Sequence, residues 1–134
     1  MGRYITFSLI QNPAIAFSLG RNLQVGVQRP LFIILPVLTI IFILIFYIRN
    51  SDLSRYQRWF IAAITGGGIA NCVDRFFRPG GVIDFIDIKF YGILGLERYP
   101  TFNIADSSVV IGGLLLVYTL VRDEFLSNRK RTYE

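Results

Sequence analysis

Histidine is absent from this 134-residue chain and cysteine occurs once. Without an imidazole there is no histidine general base and no histidine metal ligand, so acid–base chemistry near neutral pH falls to carboxylates. The single cysteine, Cys72, can form no intrachain disulfide. Its apolar segment lacks the electropositive, accessible setting of a reactive thiol, so it reads as packing. Acidic residues are also few, 9 against 14 Lys and Arg, for a net charge of +5. The basic residues are scattered between apolar runs rather than gathered on one stripe. That distribution suits lipid headgroups better than a nucleic-acid surface. No metal site and no cofactor is expected.

What the chain has instead is apolar length. Hydrophobic residues make up 53% of it, too many for an ordinary soluble domain of this size. The expectation is a single membrane domain covering residues 1–134. Residues 31–48 carry no charge and lie between Arg29 and Arg49, long enough to cross a bilayer with their flanks. Pro36 falls early in this run and removes a backbone donor. A second span is expected over 56–75, with Gly66, Gly67 and Gly68 as packing devices that let helices approach closely in lipid. A third is expected over 104–122, where Gly112 and Gly113 read the same way.

Between and around these spans the pattern changes. In residues 1–29, Arg3, Ile5, Phe7 and Leu9 alternate with Tyr4, Thr6, Ser8 and Ile10, a period of two that predicts a short strand. A turn at Asn12 and Pro13 and a second strand over 14–19 follow, giving a small hairpin or curved sheet. The apolar stretches here are too short and broken for a secretory signal peptide. Residues 76–103 form a polar and aromatic excursion.

The basic loop at 49–58 and the basic tail after 122 are expected on the cytoplasmic side by the positive-inside preference. Residues 1–29 and 76–103 are then both outside. Three spans would require residues 1–29 to be translocated with no leading helix, which implies a transmembrane helix upstream of Met1.

Two carboxylates stand out in this topology. Asp106 lies at the mouth of the last apolar run, and Asp84 lies within Val82, Ile83, Phe85 and Ile86. An ionised Asp toward the middle of a spanning helix costs roughly 2.5–3.5 kcal/mol, so a carboxylate kept near such a segment suggests function. The chain leaves the membrane near Asp74 and re-enters near Asp106, which sets Asp84 and Asp106 on one side. A pair of close carboxylates shares a proton, one acting as base toward water and the other as acid toward a carbonyl or leaving amine. A simpler reading stands beside it: Asn103 as a helix N-cap with Asp106 at N3. Asp74 with Arg75 and Asp87 with Lys89 read as interfacial charge pairs. Asp84 is harder to read as idle, because in an extended segment it shares a face with Val82, Ile86 and Ile88.

The motifs at Asn71-Cys72-Val73-Asp74-Arg75, at Gly81-Val82-Ile83-Asp84-Phe85-Ile86-Asp87 and at Phe102-Asn103-Ile104-Ala105-Asp106-Ser107 resemble, in order and spacing, the signature blocks of lipoprotein signal peptidase, or signal peptidase II. The segment from Asn12 to Leu19 is similar to a fourth block, with Ala14 in place of a usual glycine and Ile15 in place of alanine. Ala70 replaces a common glycine, and the family's first helix, with its own Asp and Lys, has no counterpart. The resemblance implies an all-α membrane protein with three transmembrane helices here, four being expected in the family, and a small extracytoplasmic β-hairpin or sheet cradle. It implies an aspartic endopeptidase of the bacterial inner membrane, multi-pass, with its active site at the extracytoplasmic face. Such an enzyme cleaves diacylglyceryl-modified prolipoproteins before the lipidated cysteine. On that resemblance Asp84 and Asp106 are the catalytic pair, Asn12, Asn71, Arg75 and Asn103 line the substrate site, and Asp74 and Asp87 are structural. The implied partners are a lipidated prolipoprotein and membrane lipids, with the chain acting as a monomer. The residues alone also admit a non-catalytic homologue that binds lipoproteins, or a small subunit using Asp106 in a proton path.

Overall fold

A run of apolar residues without glycine after Gly26 and without charge after Arg29 forms the first helix, α1, Val25–Arg49. The computed structural model describes residues 4–12 and 25–131. The expected turn at Pro13 and the strand over 14–19 lie outside them. Helix α1 begins six residues before the expected span and takes in Pro30 as well as Pro36. Pro36, expected early in the span, therefore sits at mid-helix, and there it leaves the carbonyl of residue 32 without its helical donor.

Helix α2, Arg55–Phe77, starts on a reciprocal capping box. The Gln57 amide N–H donates to Ser54 Oγ at 3.3 Å, and the Ser54 N–H donates to Gln57 Oε1 at 2.8 Å, which satisfies donors that a helix N-terminus would otherwise leave open. Gln57 is buried, and its Nε2 also donates to Asp123 Oδ2 at 3.0 Å. Helix α3, Ile104–Arg131, contains that aspartate. It continues through the charged stretch after residue 122 that reads as a tail in the sequence. No glycine or proline follows Gly113, so nothing in the chain stops the helix where the apolar run ends.

Helix α2 packs against both α1 and α3, and its glycines divide the work. A Cβ on Gly67 would meet the Ala105 carbonyl oxygen of α3 at 2.5 Å, whereas one on Gly68 would meet Ile40 of α1 at 3.2 Å. Gly112 of α3 answers Gly67, lying against the Phe60 carbonyl and Ile64 of α2. Gly66 and Gly113 face open space and are not packing devices. Much of α1 and α3 presents apolar side chains outward; Phe42 and Leu114 are 70% and 68% exposed. Surfaces of this extent need an apolar partner. Two helices among the described residues, Pro30–Arg49 and Ile104–Arg129, are long and apolar enough to cross a membrane. The expected third, in α2, is diluted by its glycines and by polar residues such as Asn71 and Gln57 that turn inward.

Strand β1, Ile5–Asn12, pairs antiparallel with strand β2, Val82–Ile88. The alternation in the sequence thus marks a real strand, whose partner is some seventy residues away. Register runs from Ile5 opposite Ile88 to Asn12 opposite Val82, with an irregularity between Phe7 and Ile10. On its other edge β2 receives the returning chain, through bridges Lys89 to Arg98 and Ile86 to Phe102. The turn between them holds the 3-10 segment Ile93–Gly95, with Tyr91, Gly92 and Gly95 at positive φ.

The charge pairs differ from the expected ones. Asp74 pairs with Arg78 at 2.9 Å and Asp87 with Arg98, rather than with Arg75 and Lys89. Positions i and i+4 meet on a helix surface while i and i+1 do not, and Lys89 instead sits over the Tyr91 ring, 4.7 Å from its centroid.

Candidate active site

Strand alternation puts Val82 and Asp84 on the face of β2 that turns into the protein, and each is 2% exposed. Burial of a carboxylate demands compensating hydrogen bonds. Asp84 receives two. Asn12 Nδ2 donates to Asp84 Oδ2 at 2.8 Å, and Asn103 Nδ2 donates to Asp84 Oδ1 at 3.1 Å. Asn12 reaches it because β1 pairs Asn12 with Val82 and Ile10 with Asp84, making Asn12 the diagonal neighbour on the same face.

Asn103 is the residue just before α3. Its Oδ1 accepts the Asp106 N–H at 2.9 Å, while its own N–H donates to Asp106 Oδ2 at 3.1 Å. This is the capping-box geometry with Asn and Asp in the two roles. The same Asn103 amide donates to Asn71 Oδ1 at 3.2 Å, and Asn71 Nδ2 donates to Asp106 Oδ1 at 2.7 Å. Asn71 is 9% exposed, on the face of α2 that meets α3. A closed network results. Both carboxylates are held by amide donors, and Asn103 touches both.

Arg75, one turn beyond Asn71, donates from its guanidinium to the Asn71 backbone carbonyl at 3.4 Å. Its positive charge also acts on Asp84. Burial is the largest influence on Asp84 and pushes its pKa above the ordinary carboxylate value, and the charge of Asp106 adds to this. The hydrogen bonds from Asn12 and Asn103 and the charge of Arg75 oppose the rise without cancelling it.

All six residues singled out from the sequence thus lie in or beside one cluster, from four separate parts of the chain. What sequence reading missed is the backbone that joins them. The N–H groups of Phe85 and Ile86 both donate to the Phe102 carbonyl, at 3.1 and 2.9 Å, and the Phe102 N–H returns to Ile86 O at 3.1 Å. Residue types carry no signal for such a bridge. Among the described residues no group of three or more Cys, Asp and Glu side chains is placed to hold a metal ion.

The profile of the family described as signal peptidase (SPase) II matches residues 1–122. The lipoprotein signal peptidase of Treponema denticola is 46% identical over 121 residues, covering 90% of this chain and 70% of that protein. Those of Treponema pallidum and Borrelia turicatae are 40% and 42% identical, covering 92% and 89% of this chain and 67% and 69% of their own lengths. Two solved structures, each described as a bacterial membrane enzyme, superpose with TM-scores of 0.75 and 0.73 at 26% and 27% identity. Each covers 92% of this chain, and the matches span 70% and 73% of theirs. With a profile match over 122 of 134 residues and curated relatives above 40% identity, the chain belongs to the signal peptidase II family.

Proposed function

We propose that this chain is an aspartic endopeptidase that removes the signal peptide from diacylglyceryl-modified prolipoproteins, with Asp84 and Asp106 as its catalytic pair. The observation that carries the reading is that Asn103, at the buried junction of β2 and α3, holds both carboxylates, donating from its side-chain amide to Asp84 and from its backbone N–H to Asp106. The charge of Asp106 adds to burial in favouring the protonated form of Asp84. The two carboxylates then divide the roles of acid and base. Asp84 is raised by burial and serves as the acid toward the scissile carbonyl or leaving amine. Asp106 stands in the first turn of α3, where the helix dipole favours negative charge, and serves as the base toward water. Asn12, Asn71 and Asn103 orient the pair, and Arg75 adds positive charge for a developing oxyanion.

In this reading α1, α2 and α3 all cross the bacterial inner membrane, and the sheet and the 76–103 excursion lie at the extracytoplasmic face. The site then stands at headgroup depth, where an acyl chain anchored in the bilayer presents the adjoining peptide bond. The exposed apolar flanks of α1 and α3 contact lipid, and the chain acts as a monomer. The test is cleavage of a lipidated prolipoprotein by the protein in lipid vesicles. Asp84→Asn and Asp106→Asn are each expected to lower kcat by about 10²–10⁴-fold while inserting normally. Full activity in either variant overturns the assignment.

A further inference from the structure

The segment that returns from the 3-10 turn to α3 determines where Asn103 and Asp106 stand, so its register along β2 matters. Its backbone is tied to β2 by Tyr99 N–H to Ile88 O at 2.9 Å and by the Phe85, Ile86 and Phe102 bonds. Rings continue the attachment, with Phe90 against Tyr99 at 5.2 Å and Tyr99 against Phe102 at 5.7 Å between centroids. Backbone bonds are the same in any register, and aromatic contacts are tolerant. One side-chain contact is not. Asp87 of β2 pairs with Arg98 of the returning segment, the only ion pair among the described residues that joins the two. Asp87 is 13% exposed at its side chain, and its Oδ1 is buried with no hydrogen-bond partner. Arg98 is therefore the group that compensates this carboxylate.

The neighbours of Arg98 make the pairing selective. A slip of one residue sets Glu97 or Tyr99 in its place, one repelled by Asp87 and the other unable to neutralise it. A slip also moves the chain by about 3.3 Å and reverses which side chains face inward. Asn103 reaches Asp84 at 3.1 Å and Asn71 at 3.2 Å, and neither bond survives such a shift. We infer that the Asp87–Arg98 ion pair is a positioning device that selects the register of the returning segment and so sets Asn103 and Asp106 against Asp84. This rests on the reading of that cluster as the active site, and it adds a role for two residues outside it.

The experiment compares Arg98→Gln, Arg98→Lys and the exchange Asp87→Arg with Arg98→Asp in the full chain in lipid vesicles. Two readouts are taken, steady-state cleavage of a lipidated prolipoprotein and hydrogen exchange of the Tyr99 and Phe102 amides. Arg98→Gln is expected to lower kcat about tenfold with KM within twofold and to speed exchange at both amides. Arg98→Lys and the exchanged pair are expected to recover most of both. A rise in KM at constant kcat would make Arg98 a substrate contact and overturn the inference. So would unchanged exchange, or an exchanged pair no better than Arg98→Gln. If the unaltered protein cleaves nothing, the peptidase reading fails, while the exchange measurement still decides the role of the pair.

Discussion

Replacing Gly67 by alanine tests whether helix packing sets the geometry of the site. A Cβ at this position meets the Ala105 carbonyl oxygen at 2.5 Å and Val109 Cγ2 at 3.0 Å. Comfortable contact lies near 3.5 Å, so α2 and α3 must part by about 1 Å. The nearest contact is main chain and cannot rotate away. Asn71 lies one turn further along the same face of α2, and Asp106 directly follows Ala105, so the 2.7 Å bond between them takes up the displacement. At about 3.7 Å it is no longer a hydrogen bond. A misplacement of this size in a catalytic constellation costs about 10²-fold in rate. Stability responds less. Overpacking costs about 1–3 kcal/mol, and removing a helical glycine returns about 1 kcal/mol. The expected result is a folded Gly67→Ala protein with kcat near one hundredth of the unaltered value. Gly66→Ala and Gly113→Ala, whose added methyls meet nothing within 4 Å, should leave activity unchanged. Cleavage kinetics in vesicles, read beside thermal unfolding in detergent, separate the two effects. Gly67→Ala with kcat within twofold of the unaltered protein would refute the argument that the α2–α3 approach holds Asn71 to Asp106.

Two further substitutions probe the network itself. Asn103→Asp keeps an oxygen to cap the Asp106 N–H but loses the amide that donates to Asp84 and Asn71. Cleavage should fall at least tenfold while α3 remains formed by circular dichroism, whereas Asn103→Ala should also lose about 1 kcal/mol of helix capping. The raised pKa of Asp84 predicts a pH dependence of stability. Between the unfolded carboxyl value, about 3.9, and the higher folded one, the native state binds more protons than the unfolded state. Stability therefore falls as pH rises through that window and stays lowered above it. Asp84→Asn removes this loss, so its Tm relative to the unaltered protein should climb through the window and then level off. Parallel Tm curves for the two proteins would contradict it.

Much of this protein is written locally. The uncharged run before Arg49, the alternation from Ile5 to Ile10 and the Asn103 to Asp106 spacing each report a helix, a strand and a cap, because each depends on neighbours a few residues away. The isolation of Asp84 among Val82, Ile83, Phe85 and Ile86 likewise marks a carboxylate that is buried and held by amide donors. Other features depend on partners far along the chain, and residue types do not encode them. Nothing in residues 4–12 says that β1 pairs with residues 82–88, yet that pairing brings Asn12 to Asp84. Three consecutive glycines looked equivalent, but only contact with Ala105 and Ile40 separates Gly67 and Gly68 from Gly66. The charges of Asp74 and Asp87 found arginines across a helix turn and a strand edge rather than their sequence neighbours. The sequence by itself determined that residues 31–48 and 104–122 are apolar enough for lipid and which residues carry the acids and amides. Only the tertiary structure decided that Asn103, already capping Asp106, would also reach Asp84, because that contact requires β2 and the start of α3 to meet within hydrogen-bond distance.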